Sequence, residues 1–388
     1  MKNKFLPYSR QLITDNDIEE VKKVLKSDFI TQGPFIENFE KELAKIVNSK
    51  YGVAMNSATS ALHIACMALN LRKGDYLWTS PITFVASANC ARYCGANVDF
   101  VDIDKNTGLM SIEQLKIKLK EAEKLGKLPK VIVPVHLTGC SCEMREIHDL
   151  SKKYGFYIIE DASHAIGGKY NNEAVGNCKY SDITVFSFHP VKIITSGEGG
   201  IATTNNYSLS IKMRELRSHG ITKDKTKFKK LSGESWVYEQ QSLGFNYRMN
   251  DICAALGLSQ LRRLEKIVLE RNKQHNYYVK ILKDLPINLL KIPDNVYSSF
   301  HLQVIQFDKK NIQNYNKIFD ELRTSGIGVQ LHYIPVHFQP YYQDLGFKKG
   351  DFPSAEDYSS KSISIPIFPG LNKEDQDYVK KSLERILY

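Results

Sequence analysis

The chain has 388 residues, 42% of them apolar, and carries a formal net charge of +10. That length suits one large α/β unit with a smaller companion, and the composition is that of a folded chain, not a disordered one. Its basic residues are dispersed or gathered in the run Lys223–Lys230, with no basic helix of interleaved aromatics and no zinc-finger or RRM pattern. The charge therefore speaks against a nucleic-acid reader and for a solvated surface that attracts an anionic small molecule.

No run approaches the ~20 apolar residues of a membrane span. The stretch Met1 to Asp17 lacks an apolar core followed by a small-residue cleavage site, so a cytoplasmic location is the expectation. The seven cysteines are scattered and mostly lie inside apolar runs, as buried reduced thiols do. Cys140 and Cys142 have no second Cys/His pair at zinc spacing, so no metal site is expected.

Thr14 caps a helix expected over Asp15–Lys26; an extended stretch runs from Phe29 to Pro34, and a second helix spans Phe35–Val47. From Tyr51 to about Leu261, short apolar runs alternate with helical periods. The runs are Gly52–Met55, Tyr76–Thr79, Asn97–Val101, Lys130–Val135, Phe156–Glu160, Ile183–Phe188 and Gly200–Thr203. Continuous apolar runs suit strands covered on both faces, so the pattern predicts a large sheet of βα units with helices on either side. The polar stretch Thr222–Leu243 reads as a mobile or partner-facing loop. Beyond it the pattern changes: a helix over Leu261–Leu285, a strand over Ser299–Phe307, a helix over Asn311–Ser325 and a strand over Val329–Tyr333. The expected division is 1–260 for the large unit and 261–388 for a smaller α+β unit.

Four places in the large unit carry chemistry. Asn56 to His63 (NSATSALH) puts small hydroxyl residues where a helix begins, a position that suits an anion such as phosphate and equally suits ordinary N-caps. Phe84 follows the second strand and can lie over a flat ring or pack in the core. Asp161 closes the fifth strand, outside the carboxyl end where open α/β sheets bind ligands, or simply forms a polar terminus. Lys192 sits between two strands among Val191, Ile193 and Ile194; burial would make it a free amine, whereas a stem on apolar surface with its head in water would leave it ordinary. Together, a phosphate cradle, an aromatic plate, a carboxylate and a sequestered lysine are the parts required by pyridoxal 5′-phosphate (PLP).

The same residues resemble the DegT/DnrJ/EryC1/StrS sugar aminotransferases across almost the whole chain. The motifs are Asn56–Leu62 (NSATSAL), Thr83–Ala86 (TFVA), Glu160–Ala165 (EDASHA), Ser187–Lys192 (SFHPVK) with Glu198–Gly200, and Gly244–Asn250 (GFNYRMN) leading into Ala255–Gln260. The resemblance implies the aspartate-aminotransferase-like fold of type I PLP enzymes, with a mixed, mostly parallel seven-stranded sheet and a smaller C-terminal α+β domain. It implies that Lys192 bonds the cofactor and then moves protons, and that Asp161 binds the pyridinium nitrogen. It places His164 near the phenolic oxygen, Phe84 on the ring, and Ser57, Ala58, Thr59 and Ser187 around the phosphate. Asn246 would reach the site of a neighbouring subunit, in a homodimer with shared active sites. Tyr8, Asp28, Phe29, Ile30, Thr31, Arg248, Leu331, His332, Tyr333 and Ile334 would line the sugar pocket, with Ala58, Ser187 and Asn246. Bland readings stand beside these: Tyr8 as a packed aromatic, His332 and Tyr333 as a strand end, Arg248 paired with Asp251.

Within the family, Ser163-His164, Arg217–Gly220 (RSHG) and Val329–Tyr333 (VQLHY) are most similar to the aminotransferases of pseudaminic acid biosynthesis. Those enzymes aminate C4 of a UDP-linked 4-keto-6-deoxy-N-acetylhexosamine with L-glutamate. Members with histidine in place of the lysine are dehydratases; Lys192 favours transamination. Amination at C3, a dTDP- or GDP-sugar substrate, and a non-catalytic PLP-binding regulator are the competing expectations.

Overall fold

The computed structural model describes residues 5–388. Its centre is a seven-stranded sheet built from the seven apolar runs: β1 (Tyr51–Met55), β2 (Tyr76–Thr79), β3 (Asn97–Phe100), β4 (Val131–Val133), β5 (Tyr157–Asp161), β6 (Ile183–Ser187) and β7 (Gly200–Thr204). The strand order is β1-β7-β6-β5-β4-β2-β3. Pairs among β2 to β6 are parallel, and β7 runs antiparallel to both β1 and β6. Side chains alternate across the sheet, as a period of two requires. Val53, Met55, Ile183 and Val185 enter the core on one face; Ala54, Phe186 and Ile201 enter the core on the other.

Helices cover both faces. The first core takes α3 (Ala58–Ala68), α4 (Ala86–Tyr93), α5 (Ile112–Leu125), α6 (Met144–Tyr154) and part of α7 (Tyr207–Leu216). The second takes α2 (Pro34–Val47), α8 (Asp251–Leu261) and the start of α9 (Leu264–Ile281), with α1 (Asp15–Leu25) packed on α8. Each fully buried Leu, Ile or Phe here contributes roughly 1.5–3 kcal/mol. Thr14 caps α1 as expected, paired reciprocally with Asp17.

One buried carboxylate ties α2, β1 and α7 together. Glu40 accepts from the Ala54 N–H at 2.8 Å, from Arg214 at 2.6 Å and from Arg217 at 2.5 Å. Removing it strands two partly buried guanidinium groups. We expect Glu40→Ala to lose about 3–5 kcal/mol of stability in urea unfolding; a loss under 1 kcal/mol would contradict that account.

A second, three-stranded sheet, β8 (Ile287–Leu289), β9 (Gln303–Phe307) and β10 (Ser362–Ile365), is antiparallel throughout, in the order β8-β9-β10. It packs with the end of α9 and with the helices Tyr315–Thr324 and Lys373–Leu387. Leu6 joins this core through a bridge to Ile327, so the first described residues belong with the last third of the chain.

Four expectations need correction in this region. The helix expected over Leu261–Leu285 is two: α8 ends at Leu261, and α9 runs from Leu264 to Ile281. The break falls where Arg263 leaves the helical path to bond the Asp17 carboxylate at 2.6 Å. The strand expected from Ser299 begins only at Gln303, because Phe300 has φ +48° and Ser299 donates to the His164 carbonyl. The helix expected over Asn311–Ser325 is also divided, into Lys309–Ile312 and Tyr315–Thr324, with Asp308 capping the first piece. Val329–Tyr333 is not a strand; only Gln330 pairs, with Ser364, before the chain turns into the central cavity.

Candidate active site

A cavity of about 600 Å³ opens at the carboxyl ends of the parallel strands. This is where α/β sheets bind ligands, because strand ends deliver short loops and helix N-termini to one edge. Lys192, Asp161, His164, Phe84, Ser57, Ala58, Thr59, Ser187, Tyr8, His332 and Tyr333 all line it.

Strand register builds the anion cradle. Gly200 pairs with Met55 on one side and Ser187 on the other, so the turn after β1, the end of β6 and the start of β7 lie side by side. The turn opens α3, with Ser57 as its cap: the hydroxyl accepts from Ser60 N–H at 3.1 Å. The two readings of this turn are therefore compatible. Ser57 caps, while the N–H groups of Ala58 and Thr59 have no carbonyl within the helix and point outward at its positive end. A Cβ on Gly200 would strike the Ala58 nitrogen and lie 2.5 Å from the Ser57 carbonyl carbon. Gly200→Ala should therefore push the cradle open and weaken cofactor binding by about tenfold or more, one order of magnitude per 1.4 kcal/mol. Equilibrium dialysis of the apoprotein checks this, and unchanged affinity would refute the cradle.

Lys192 rides on a closed loop. The Phe188 N–H donates to the Gly199 carbonyl at 2.9 Å, and the Ser196 N–H donates to the Phe188 carbonyl at 3.0 Å. Gly197, at φ +81°, supplies the left-handed residue this reversal needs. Ile193 and Ile194 are buried anchors in the second core, whereas Val191 and Lys192 face the cavity. Of the three apolar neighbours named in the sequence, only Val191 lines the cavity. Lys192 is partly accessible through the cavity, yet burial lowers its ammonium to about 8 against the opposing pull of Asp161. At neutral pH that raises the free-amine fraction by on the order of a hundredfold.

Asp161 is buried at the end of β5. Oδ2 accepts from the Ser87 hydroxyl at 2.5 Å, and Oδ1 accepts from the Ser163 N–H at 3.1 Å. Behind it, Glu160 bonds His136 Nε2 at 2.7 Å and the hydroxyls of Ser181 and Thr184. The Cys142 N–H points at His136 Nδ1, 3.2 Å away, so that nitrogen is the acceptor and the ring is a neutral donor to Glu160. This pair braces the strand that carries Asp161.

Three histidines surround the lysine. His164 contacts the Tyr333 hydroxyl through Nε2 at 3.1 Å, and its Nδ1 is buried without a partner among the described residues. His301 packs 4.4 Å from it, ring centre to ring centre. Burial and then the Lys192 charge push His332 down to about 3, and burial holds His164 and His301 well below the ordinary histidine range. All three are neutral at physiological pH. Phe84, 58% exposed, presents its ring beside Tyr333 at 6.3 Å. Leu331 and Ile334 line a neighbouring hollow of about 420 Å³ that shares Thr83, Phe84 and Tyr333 with the main cavity.

Other sequence candidates lie elsewhere in this chain. Asn246 bridges to Ser218, Arg248 to Met55 and Thr31 to Asn250, and none of them lines the cavity. Asp28, Phe29 and Ile30 are exposed on the surface. Arg248 does not take Asp251, whose carboxylate accepts instead from the N–H groups of Gly33 and Phe35. Sequence reasoning missed Ser87, Glu198, His189 and His301 as lining or supporting residues. His189 and Glu198 fall inside the quoted motifs, and Ser87 follows Thr83 by four residues in the first turn of α4, whereas His301 lies in none of them.

The model of the DegT/DnrJ/EryC1/StrS aminotransferase family matches residues 11–384. The chain belongs to this family. A relative from Campylobacter jejuni subsp. jejuni serotype O:2, UDP-4-amino-4,6-dideoxy-N-acetyl-beta-L-altrosamine transaminase, is 39% identical over 384 residues, which cover 98% of this chain and 97% of the relative. Helicobacter pylori PseC, an aminotransferase involved in the biosynthesis of pseudoaminic acid, shares the fold with a TM-score of 0.90 at 33% identity over 99% of each chain. Spr1654 from Streptococcus pneumoniae, assigned as a sugar aminotransferase and solved in its PLP form, has a TM-score of 0.89 at 29% identity over 99% of this chain and 100% of that one.

This DegT-family aminotransferase is a PLP-dependent enzyme with the mostly parallel seven-stranded α/β fold that its sequence resemblance implied. Its residues fit the cofactor: the glycine-floored cradle suits a phosphate, the exposed Phe84 ring suits a flat heterocycle, and the unpaired His164 Nδ1 suits a polar oxygen. No helix among the described residues is long and apolar enough to cross a membrane.

Proposed function

We propose that this aminotransferase moves the amino group of L-glutamate to C4 of UDP-2-acetamido-2,6-dideoxy-β-L-arabino-hexos-4-ulose. The products are UDP-4-amino-4,6-dideoxy-N-acetyl-β-L-altrosamine and 2-oxoglutarate, a step of pseudaminic acid biosynthesis. One observation carries the reading: a lysine lowered to about 8, a strand-end carboxylate and a helix-end anion cradle share one cavity, in a chain 39% identical to an enzyme named for that product.

PLP, when bound, supplies an electron sink and carries the amino group between the two substrates. The chain's own residues do the rest. Ala58, Thr59 and Ser187 would hold the phosphate, Phe84 would cover the ring, and the Asp161 carboxylate would pair with the ring nitrogen. Lys192 Nζ, as a neutral amine, would take the proton from Cα of L-glutamate and in the second half deliver one to C4 of the sugar. Tyr8, His332 and Tyr333 border the sugar, with Leu331 and Ile334 along its exit.

We read residues 1–260 as the unit that holds the cofactor and 261–388 as the unit that brings His301, His332 and Tyr333 to its rim. No arginine is among the cavity's lining residues, although both substrates are anionic. A homodimer with shared sites answers this, with Arg248, Asn246 and Asp28–Thr31 of one copy reaching the cavity of the other. The exposed Phe29 and Ile30 suit such an interface. The cytoplasm is the proposed location. A panel of UDP-, dTDP- and GDP-linked keto-sugars, with product regiochemistry read by NMR, tests the substrate. Preference for a dTDP- or GDP-sugar, or amination at C3, would overturn it.

A further inference from the structure

The turn between β2 and α4 does more than present Phe84. Thr83, Ser87 and Asp161 are all buried, at 2%, 0% and 5% exposure. The Thr83 and Ser87 hydroxyls lie 2.8 Å apart, and Ser87 lies 2.5 Å from Asp161 Oδ2. A hydroxyl has one proton to donate. Ser87 gives its proton to the carboxylate, so it must receive one from Thr83. The order is therefore Thr83 to Ser87 to Asp161. The other carboxylate oxygen accepts from the Ser163 N–H. Each carboxylate oxygen therefore has a donor from within the chain.

We propose that Ser87 is a positioning residue for the transamination: its hydroxyl, oriented by Thr83, holds the Asp161 carboxylate in a single rotamer facing the cofactor's ring nitrogen. The same short turn carries Phe84, so the ring's cover and its charge partner are set by one piece of backbone. Without the Ser87 donor, a buried carboxylate oxygen goes unpaired, and the carboxylate's hold on the ring nitrogen loosens. The electron sink weakens, although every cofactor contact remains. This inference rests on the PLP chemistry of the site and not on the identity of the sugar.

The test uses the holoenzyme of Ser87→Ala and Ser87→Thr. For Ser87→Ala we expect a shift in the pH midpoint of the bound cofactor's visible absorption, with L-glutamate and sugar both absent. We also expect kcat to fall about tenfold, the equivalent of one lost hydrogen bond to a charged group, with KM for L-glutamate within about threefold of the parent. Ser87→Thr, which keeps the hydroxyl, should restore both the midpoint and kcat. An unshifted midpoint in Ser87→Ala would overturn the proposal. So would a Ser87→Thr variant as impaired as Ser87→Ala, since that pattern belongs to packing alone. Failure of the sugar assignment leaves the absorption readout untouched, which keeps the two apart.

Discussion

Lys192→Ala should lower kcat by a factor on the order of 10⁴, the upper range for loss of a positioned proton-transfer group. The variant should still retain PLP, because the helix-end cradle, Phe84 and Asp161 do not depend on the lysine. Its visible absorption should differ from that of the parent, since the covalent bond to the cofactor is gone. Lys192→Arg should be equally inactive: a guanidinium stays charged at any working pH and can neither attack a carbonyl carbon nor accept a proton. The parent lysine differs because burial has already lowered its ammonium to about 8. Steady-state rates and cofactor content after gel filtration measure both effects. Activity within tenfold of the parent in either variant would remove Lys192 from the chemistry.

The second large effect belongs to Asp161. Asp161→Asn keeps the shape and can still accept from Ser87, but it removes the carboxylate proposed to pair with the ring nitrogen. We expect kcat to fall about 10²–10³-fold, the scale of losing one preorganised electrostatic partner. KM for L-glutamate should change far less, because the proposed partner of the carboxylate is the cofactor and not the substrate. Such a split is what an interaction made mainly in the transition state produces. An unchanged kcat with a raised KM would instead make Asp161 a substrate ligand and reverse its assigned role.

How much of this was legible in the sequence depended on how local the causes were. The seven central strands are continuous apolar runs because both faces are covered, and each appears within a few residues of its expected bounds. The cradle, Phe84, Asp161 and Lys192 follow directly from the ends of those strands, so their meeting in one cavity was readable once the strands were. The last third was less legible because long-range contacts override its local pattern. Val329–Tyr333 has strand-forming residues, but His332 and Tyr333 are drawn into the cavity, with His332 Nδ1 fixed 2.8 Å from Ser364. The periodicity that joined α8 to α9 is broken by Arg263, whose partner Asp17 lies 246 residues away. His301 left no local sign, because its neighbour His164 lies far away in the chain, in the turn after β5. Arg248, Asn246 and Asp28–Thr31, which the resemblance placed at the pocket, do not line the cavity of their own chain.

A single-turnover reaction with ¹⁵N-labelled L-glutamate and the UDP-linked 4-keto-6-deoxy-N-acetylhexosamine, followed by NMR, tests the central claim most directly. The account predicts ¹⁵N bonded to C4 of the sugar, one equivalent of 2-oxoglutarate for each equivalent of amine, and no transfer in Lys192→Ala. Label at C3, or 2-oxoglutarate formed with no label on the sugar, would contradict it.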